Sequence, residues 1–304
     1  MSDTATLFPG VCRHYGAVAT RTEFGEFLRA RRERVTPAEA GLPGGGRRRT
    51  PGLRREELAM LAGISVDYLV RLEQGRETSP SASVVRSLAD ALRLGRDELA
   101  HMYGLVARYE KPEMCPNITE TPLVSDGTRA LLDRLPETPA FVIDPFTNVL
   151  AWNDAFETLM APTGVLEADP PNLTRFTFRD ARARTLYRDW EAIAREHAGN
   201  LRSHAGDCDD LPGRALVSEL TTTSPEFVRF WSEYRVGEKR TGVKALSHPT
   251  VGDLDLAFTA LGLPEPGRLR MVTYLPADED SAVKLDRLLA PPRTGRPLLR
   301  VVDA

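Results

Sequence analysis

A twenty-residue window opening at Arg55 constrains this chain more than any other stretch, because four of its positions admit only particular residue types. Ala59 stands fifth, where two helices cross and a large side chain would hold them apart. Gly63 stands ninth, where a tight turn needs a positive φ, and Leu69 and Leu72 stand fifteenth and eighteenth, where the second helix turns inward. Leu58, Leu61 and Ile64 complete the shared apolar face. Two short helices joined by a sharp turn meet all these conditions together, whereas an ordinary helical hairpin requires none of them in particular.

The outward-facing residues of the same window carry its chemistry. Ser65 is placed to cap the second helix by accepting a backbone N–H two or three residues on. Val66, Asp67, Tyr68 and Arg71 then fall on the exposed N-terminal face, the part that a helix-turn-helix inserts into the major groove of DNA. There Arg bonds a guanine bidentately, and Val or a Tyr ring packs on a thymine methyl; Asp67 serves only a cytosine N4 or the orientation of a neighbouring Arg. Arg54 and Arg55 open the preceding helix, where side-chain charge and free backbone N–H groups together hold a phosphate, and Gln74 and Arg76 offer a second clamp. For Arg55 an intrahelical pair with a nearby Glu is the competing reading.

The surrounding sequence predicts a five-helix bundle. A first helix from about Glu23 carries Phe24, Phe27 and Leu28 on one face and ends near Thr36-Pro37. The loop from Pro37 to Gly52 contains Gly44-Gly45-Gly46 followed by Arg47, Arg48 and Arg49, which reads either as an arm along DNA or as a solvated loop. Ser81 caps a fourth helix with Val84, Val85, Leu88, Ala91 and Leu92 inward. A fifth helix shows Leu99, Met102, Tyr103 and Val106, ending near Tyr109.

Charge agrees with this division of labour. The chain carries −3 overall, yet residues 21–76 hold twelve Arg against eight Asp or Glu, so an excess of four positive charges there leaves seven negative ones for the remainder. A basic end suits the phosphate backbone and an acidic end does not. Three scattered cysteines, Cys12, Cys115 and Cys208, support neither a disulfide framework nor a zinc site. No apolar run is long enough for a membrane span and the N-terminus lacks a signal-peptide profile, so a cytoplasmic protein is expected. With four lysines among abundant Arg, the composition points to a GC-rich bacterial genome.

From about Glu23 to Tyr109, including Leu72-Glu73-Gln74-Gly75-Arg76, the chain resembles the Cro and lambda-repressor-like helix-turn-helix regulators, the XRE family. The wording RTPGLRREELAMLAGISVDYLVRLEQGR from Arg49, with a long C-terminal part, is similar to the MmyB-like regulators. That resemblance implies a C-terminal PAS-like domain holding a fatty acid or similar elongated apolar ligand.

The C-terminal residues themselves read as α+β. After a proline-bearing linker, 111–122, and a short helix around Thr128 to Leu135, Ala140–Asp144 and Val149–Trp152 form a hairpin across Pro145-Phe146-Thr147-Asn148, with Asn153 capping a helix through Met160. Lys239–Ser247, Asp253–Leu261 and Arg268–Leu275 read as three more strands, and Leu254, Leu256 and Phe258 alternate with polar neighbours as on a half-buried antiparallel sheet. Between the two groups lie a helix from near Asp180 carrying Leu186, Trp190, Ile193 and Leu201, and another after Ser224-Pro225 carrying Phe227, Phe230, Trp231 and Tyr234. The expected division is a flexible segment 1–20, a helix-turn-helix domain 21–110, the linker, a PAS-like domain 123–292 with a five-stranded sheet and helical cover, and a tail 293–304.

On the resemblance, Trp152, Phe156, Phe176, Trp190, Phe227 and Trp231 are candidate walls of an apolar pocket, with Arg175 or Tyr187 for a polar head; each aromatic serves equally as core. Enzyme chemistry finds little support. His204, Asp207, Cys208, Asp209 and Asp210 fit no metal-ligand spacing, and Ser247-His248 lacks any companion motif. No cofactor is expected. The reading is a cytoplasmic homodimeric regulator of a pseudo-palindromic operator responding to a small apolar ligand, the rival being a C-terminal module that dimerises or docks a partner without a ligand.

Overall fold

The computed structural model describes residues 16–42, 52–110, 123–204 and 211–290. Arg47, Arg48 and Arg49, the linker, residues 207–210 of the polar cluster and the C-terminal tail therefore lie outside the described residues. The chain divides into two compact units, one built from residues up to 121 together with Ala194–Lys239, the other from 122 to Ile193 together with Arg240 onward. The excursion between the two groups of strands is thus shared between them.

The first unit opens with α1 (Gly16–Arg34), α2 (Arg55–Ala62), α3 (Val66–Glu73), α4 (Ala82–Ala91) and α5 (Arg96–Glu110). The α1 helix starts upstream of Glu23 because helical backbone needs no amphipathic period, which was the only signal available for placing its beginning. It stops at Arg34, since a residue preceding proline is pushed out of the helical region and Thr36 bonds Glu39 instead. Gly63 takes φ 66° and ends α2, while Ser65 and Ser81 each accept the N–H of the residue three ahead to start α3 and α4. Phe24, Phe27, Leu28, Leu58, Leu69, Leu72, Leu88, Leu92 and Met102 fill the core.

A buried carboxylate ties three of these helices. Glu73, at the end of α3 and 2% exposed in its side chain, receives Arg32 Nε of α1 at 2.6 Å and Arg55 Nε of α2 at 2.7 Å. Arg32 also donates to the Leu53 carbonyl at 2.9 Å. The helices approach so closely that a Cβ on Gly25 would lie 2.3 Å from the Glu73 carbonyl oxygen.

The second unit begins with α6 (Asp126–Asp133), β1 (Ala140–Ile143), β2 (Val149–Trp152), α7 (Asp154–Met160), α8 (Leu173–Arg179) and α9 (Arg182–Leu186). Next in sequence come α10 (Trp190–His204), α11 (Leu211–Thr223) and α12 (Pro225–Ser232), which from Ala194 onward belong to the first unit, and the second unit resumes with β3 (Thr241–His248), β4 (Gly252–Gly262), β5 (Arg270–Pro276) and α13 (Glu279–Leu289). The strands form one antiparallel sheet in the order β2-β1-β5-β4-β3, as expected of two strands, an excursion and three more. Leu254, Leu256 and Phe258 are buried in alternation, and Phe156 of α7 stacks on Phe141 at 4.2 Å between ring centres. On the opposite face α6 covers Ala140, Val142 and Met271 with Leu132. Asn153 holds the corner: its oxygen accepts from Phe156 N and Ala140 N, and its amide donates to the Leu135 and Thr138 carbonyls.

The single helix expected from Asp180 is instead two. Asp180 bonds the N–H of Arg182 and starts α9, Tyr187 is extended and bridges Leu246, and Asp189 accepts from Ala192 to start α10. Each short polar side chain competes with the helical backbone and restarts it. The α11 and α13 helices were not anticipated.

Removing Glu73 leaves two guanidinium groups packed without their shared anion. Glu73→Ala is expected to lower the unfolding free energy of the first unit by about 3 kcal/mol, measured by urea denaturation of the full chain.

Candidate nucleic-acid interface and ligand cleft

The outer face of α3 is built by its cap. Ser65 Oγ accepts Tyr68 N–H at 3.1 Å, which fixes the first turn. Leu69 and Leu72 are fully buried, and their burial turns Val66, Asp67 and Arg71 outward. Val66 keeps 38% of its surface exposed, a large value for an apolar side chain on a helix whose other aliphatic residues are covered. Tyr68 is half-buried, and burial raises its hydroxyl above the ordinary value.

Asp67 pairs with its neighbour Arg71. Its carboxylate accepts Arg71 Nη1 at 2.7 Å, and the guanidinium carbon sits 5.6 Å from the Tyr68 ring centre. Three of the four predicted base-reading side chains therefore form one group on the surface, with Val66 beside them on the first turn. Such a pair between exposed residues is weak.

Around this face, Arg54, Arg55, Gln74 and Arg76 are all exposed. Arg54 is the residue preceding α2, and its N–H donates to Glu57 at 2.8 Å. Within the protein Arg55 pairs not with an intrahelical Glu but with Glu73 of α3, a contact that spacing along one helix could not reveal. Its side chain nevertheless keeps 43% of its surface accessible.

In the second unit, an open cleft of about 550 Å³ is lined by Gly164, Val165, Glu167, Ala168, Asn172, Arg175, Phe176, Arg179, Asp180, Ala181 and Arg182. Of the eight predicted ligand residues, Arg175 and Phe176 line it. Tyr187 packs its ring edgewise on Phe176, 6.4 Å between centres. Phe156 and Trp190 are core: the first is stacked on Phe141, and the second donates its indole N–H to the Thr177 carbonyl at 2.9 Å beneath Arg184. Trp152 is half-buried with its indole turned to Glu157. Phe227 and Trp231 stack on each other in the first unit, and Arg202 lies over Trp231.

The cleft wall is stiffened by charge. Arg182 makes two 2.7 Å bonds to Glu167 and also bonds Asp180, so its pKa rises while those of Glu167 and Asp180 fall. Gly164, with φ 85°, leaves room for that guanidinium, which a Cβ would meet at 2.2 Å. Asn172 caps α8 through Arg175 N–H at 2.7 Å and donates to the Phe146 carbonyl. None of Val165, Asn172, Arg179 or Arg182 was singled out from sequence. The cap pattern at Asn172 was the one available signal, whereas the cleft joins segments whose proximity only folding creates.

No group of acidic, His or Cys residues among the described ones could hold a metal ion, and no described helix is long and apolar enough to cross a membrane. Residues 23–102 match the family model of a helix-turn-helix domain, and residues 124–288 match that of the MmyB-like transcription regulator ligand binding domain. Among curated proteins none matches the chain.

Replacing Tyr68 and Arg71 together by Ala is expected to abolish discrimination between a preferred duplex and a scrambled one while leaving the fold intact. The lost discrimination should be about 1–3 kcal/mol per base read. Competition gel shifts with circular dichroism check both halves.

Proposed function

The chain belongs to the family of MmyB-like transcription regulators, whose ligand-binding domain matches more than half of it, and from that premise we propose that it is a dimeric bacterial regulator that reads a pseudo-palindromic operator and senses a small apolar ligand. A helix-turn-helix domain joined to a ligand-binding domain makes it a ligand-responsive transcription regulator. The observation that carries the finer reading is the capped outer face of α3, where Val66, Asp67, Tyr68 and Arg71 are presented with Arg54, Arg55, Gln74 and Arg76 around them. Two such heads, one per protomer, span half-sites about one helical turn apart. DNA as its partner places its work in the cytoplasm.

For the second unit the proposed fold is PAS-like, on the five-stranded antiparallel order β2-β1-β5-β4-β3 with helices packed on the sheet. The proposed ligand is a fatty acid or similar elongated apolar molecule. Support for it comes from the cleft, whose volume falls in the range of small-molecule sites and whose lining sets Val165, Ala168 and Phe176 beside Arg175 and Arg179. That pairing of apolar wall and guanidinium suits a chain with an anionic head. Binding alters DNA affinity only in so far as the ligand prefers one of two arrangements of the protein.

Native mass spectrometry of the purified protein, followed by organic extraction, is expected to release a fatty acid, and added fatty acid should raise the melting temperature. Arg175→Ala should weaken that binding by about tenfold, the worth of one charge-assisted hydrogen bond. No co-purifying lipid together with no thermal shift would hand the second unit to the rival reading, a module that dimerises or docks a partner without a ligand.

A further inference from the structure

The stretch after α12 falls within the residues that match the ligand-binding domain, yet it belongs to the same compact unit as α1–α5. Val236 is buried in the helical core with Phe24, Leu69 and Met102. The Tyr234 hydroxyl donates to the Glu26 carboxylate of α1, Arg34 Nη1 donates to the Glu233 carbonyl at 3.3 Å, and the Glu238 N–H donates to Asp97 of α5 at 3.3 Å.

The other side of this stretch is gripped by α10. Arg202 lies 3.7 Å from the Trp231 ring centre and 4.1 Å from that of Tyr234, and donates to the Trp231 carbonyl. Burial brings Arg202 down to about 10 and pushes Tyr234 up to about 12, so both polar groups have surrendered water for each other and for Glu26. Ser203 Oγ accepts the Gly237 N–H at 3.1 Å. Tyr234 itself has φ 49°, a left-handed backbone that a tyrosine adopts only when its surroundings hold it there.

One geometric fact connects this grip to the DNA-reading face. Glu26, which receives Tyr234, is adjacent to Gly25, the residue pressed against the Glu73 carbonyl at the end of α3. The strap's bonds land on α1 and α5 and leave the outer face of α3 exposed. They are polar with one aliphatic anchor, the composition of interfaces that open and close rather than of permanent cores.

We propose that Glu233–Lys239 is a docking strap by which the ligand-binding part of the chain sets DNA affinity: docked, it seats α1 against the end of α3 in the DNA-reading geometry, and undocked, it releases α1. This rests on the regulator reading above. The strap has two states that differ in contacts to α1, which is what a coupling element requires.

The test uses the full chain as Glu26→Ala, Tyr234→Phe and the double variant. Hydrogen exchange should quicken in α1 and at the end of α3 in each single variant, and no further in the double, because both remove one bond. Affinity for a duplex taken from upstream of the gene should fall at least about fivefold in the same variants, the lower end of a typical allosteric coupling. Glu26 is exposed, so Glu26→Ala serves alone if Tyr234→Phe fails to fold. Unchanged exchange in α1 overturns docking, and faster exchange with DNA affinity kept within twofold makes the strap a static staple and overturns the coupling. A native chain that binds no duplex sinks the regulator reading and the coupling with it, while the exchange result still judges the docking separately.

Discussion

The helix-turn-helix unit depends on one carboxylate. Glu73 sits where α3 ends and is shared by Arg32 from α1 and Arg55 from α2, so three helices that meet at different angles converge on a single anion. Apolar side chains press these helices together, but they slide easily; a buried anion with two directed donors does not. The angle at which α3 projects its first turn is therefore set from its last residue. Gly25 permits the close approach that makes this possible, since any side chain there would strike the backbone of Glu73.

The two functional surfaces use charge in opposite ways. On α3 the Asp67–Arg71 pair is exposed and weak, which suits the proposed exchange of its partner for a base edge. In the cleft lining, Arg182 is bound by two carboxylates and stiffens the wall, while Arg175 and Arg179 stand along the same lining with Phe176. Neither arrangement follows from residue type, because both are made of the same Arg and Asp.

Much of the first unit was legible because its signals are local. The positive φ at Gly63, the caps at Ser65 and Ser81 and the inward leucines each depend on neighbours within a few residues. The same holds for the hairpin at Thr147 and the Asn153 cap, where Asp144 folds back on the Phe146 and Asn148 N–H groups. Local signals failed between Asp180 and Trp190, where two aspartates restart the helix. Among the proposed wall residues, Phe156 and Trp190 turned out to fill core positions, as apolar stripes at helical spacing commonly do, while Arg175 and Phe176 line the cleft.

By itself the sequence determined the DNA-reading motif, its exposed residues, the strand succession and the split between a basic and an acidic end, because turns, caps and alternation act over distances shorter than a helix. Only the tertiary structure decided that Arg55 answers to Glu73, that the cleft draws on residues from Gly164 to Arg182, and that Ala194–Lys239 joins the helical unit rather than the sheet. Those pairings join residues from 18 to 208 positions apart, as with Arg55 and Glu73 or Glu26 and Tyr234. Which distant partner wins depends on the packing of whole elements, and no local pattern encodes it.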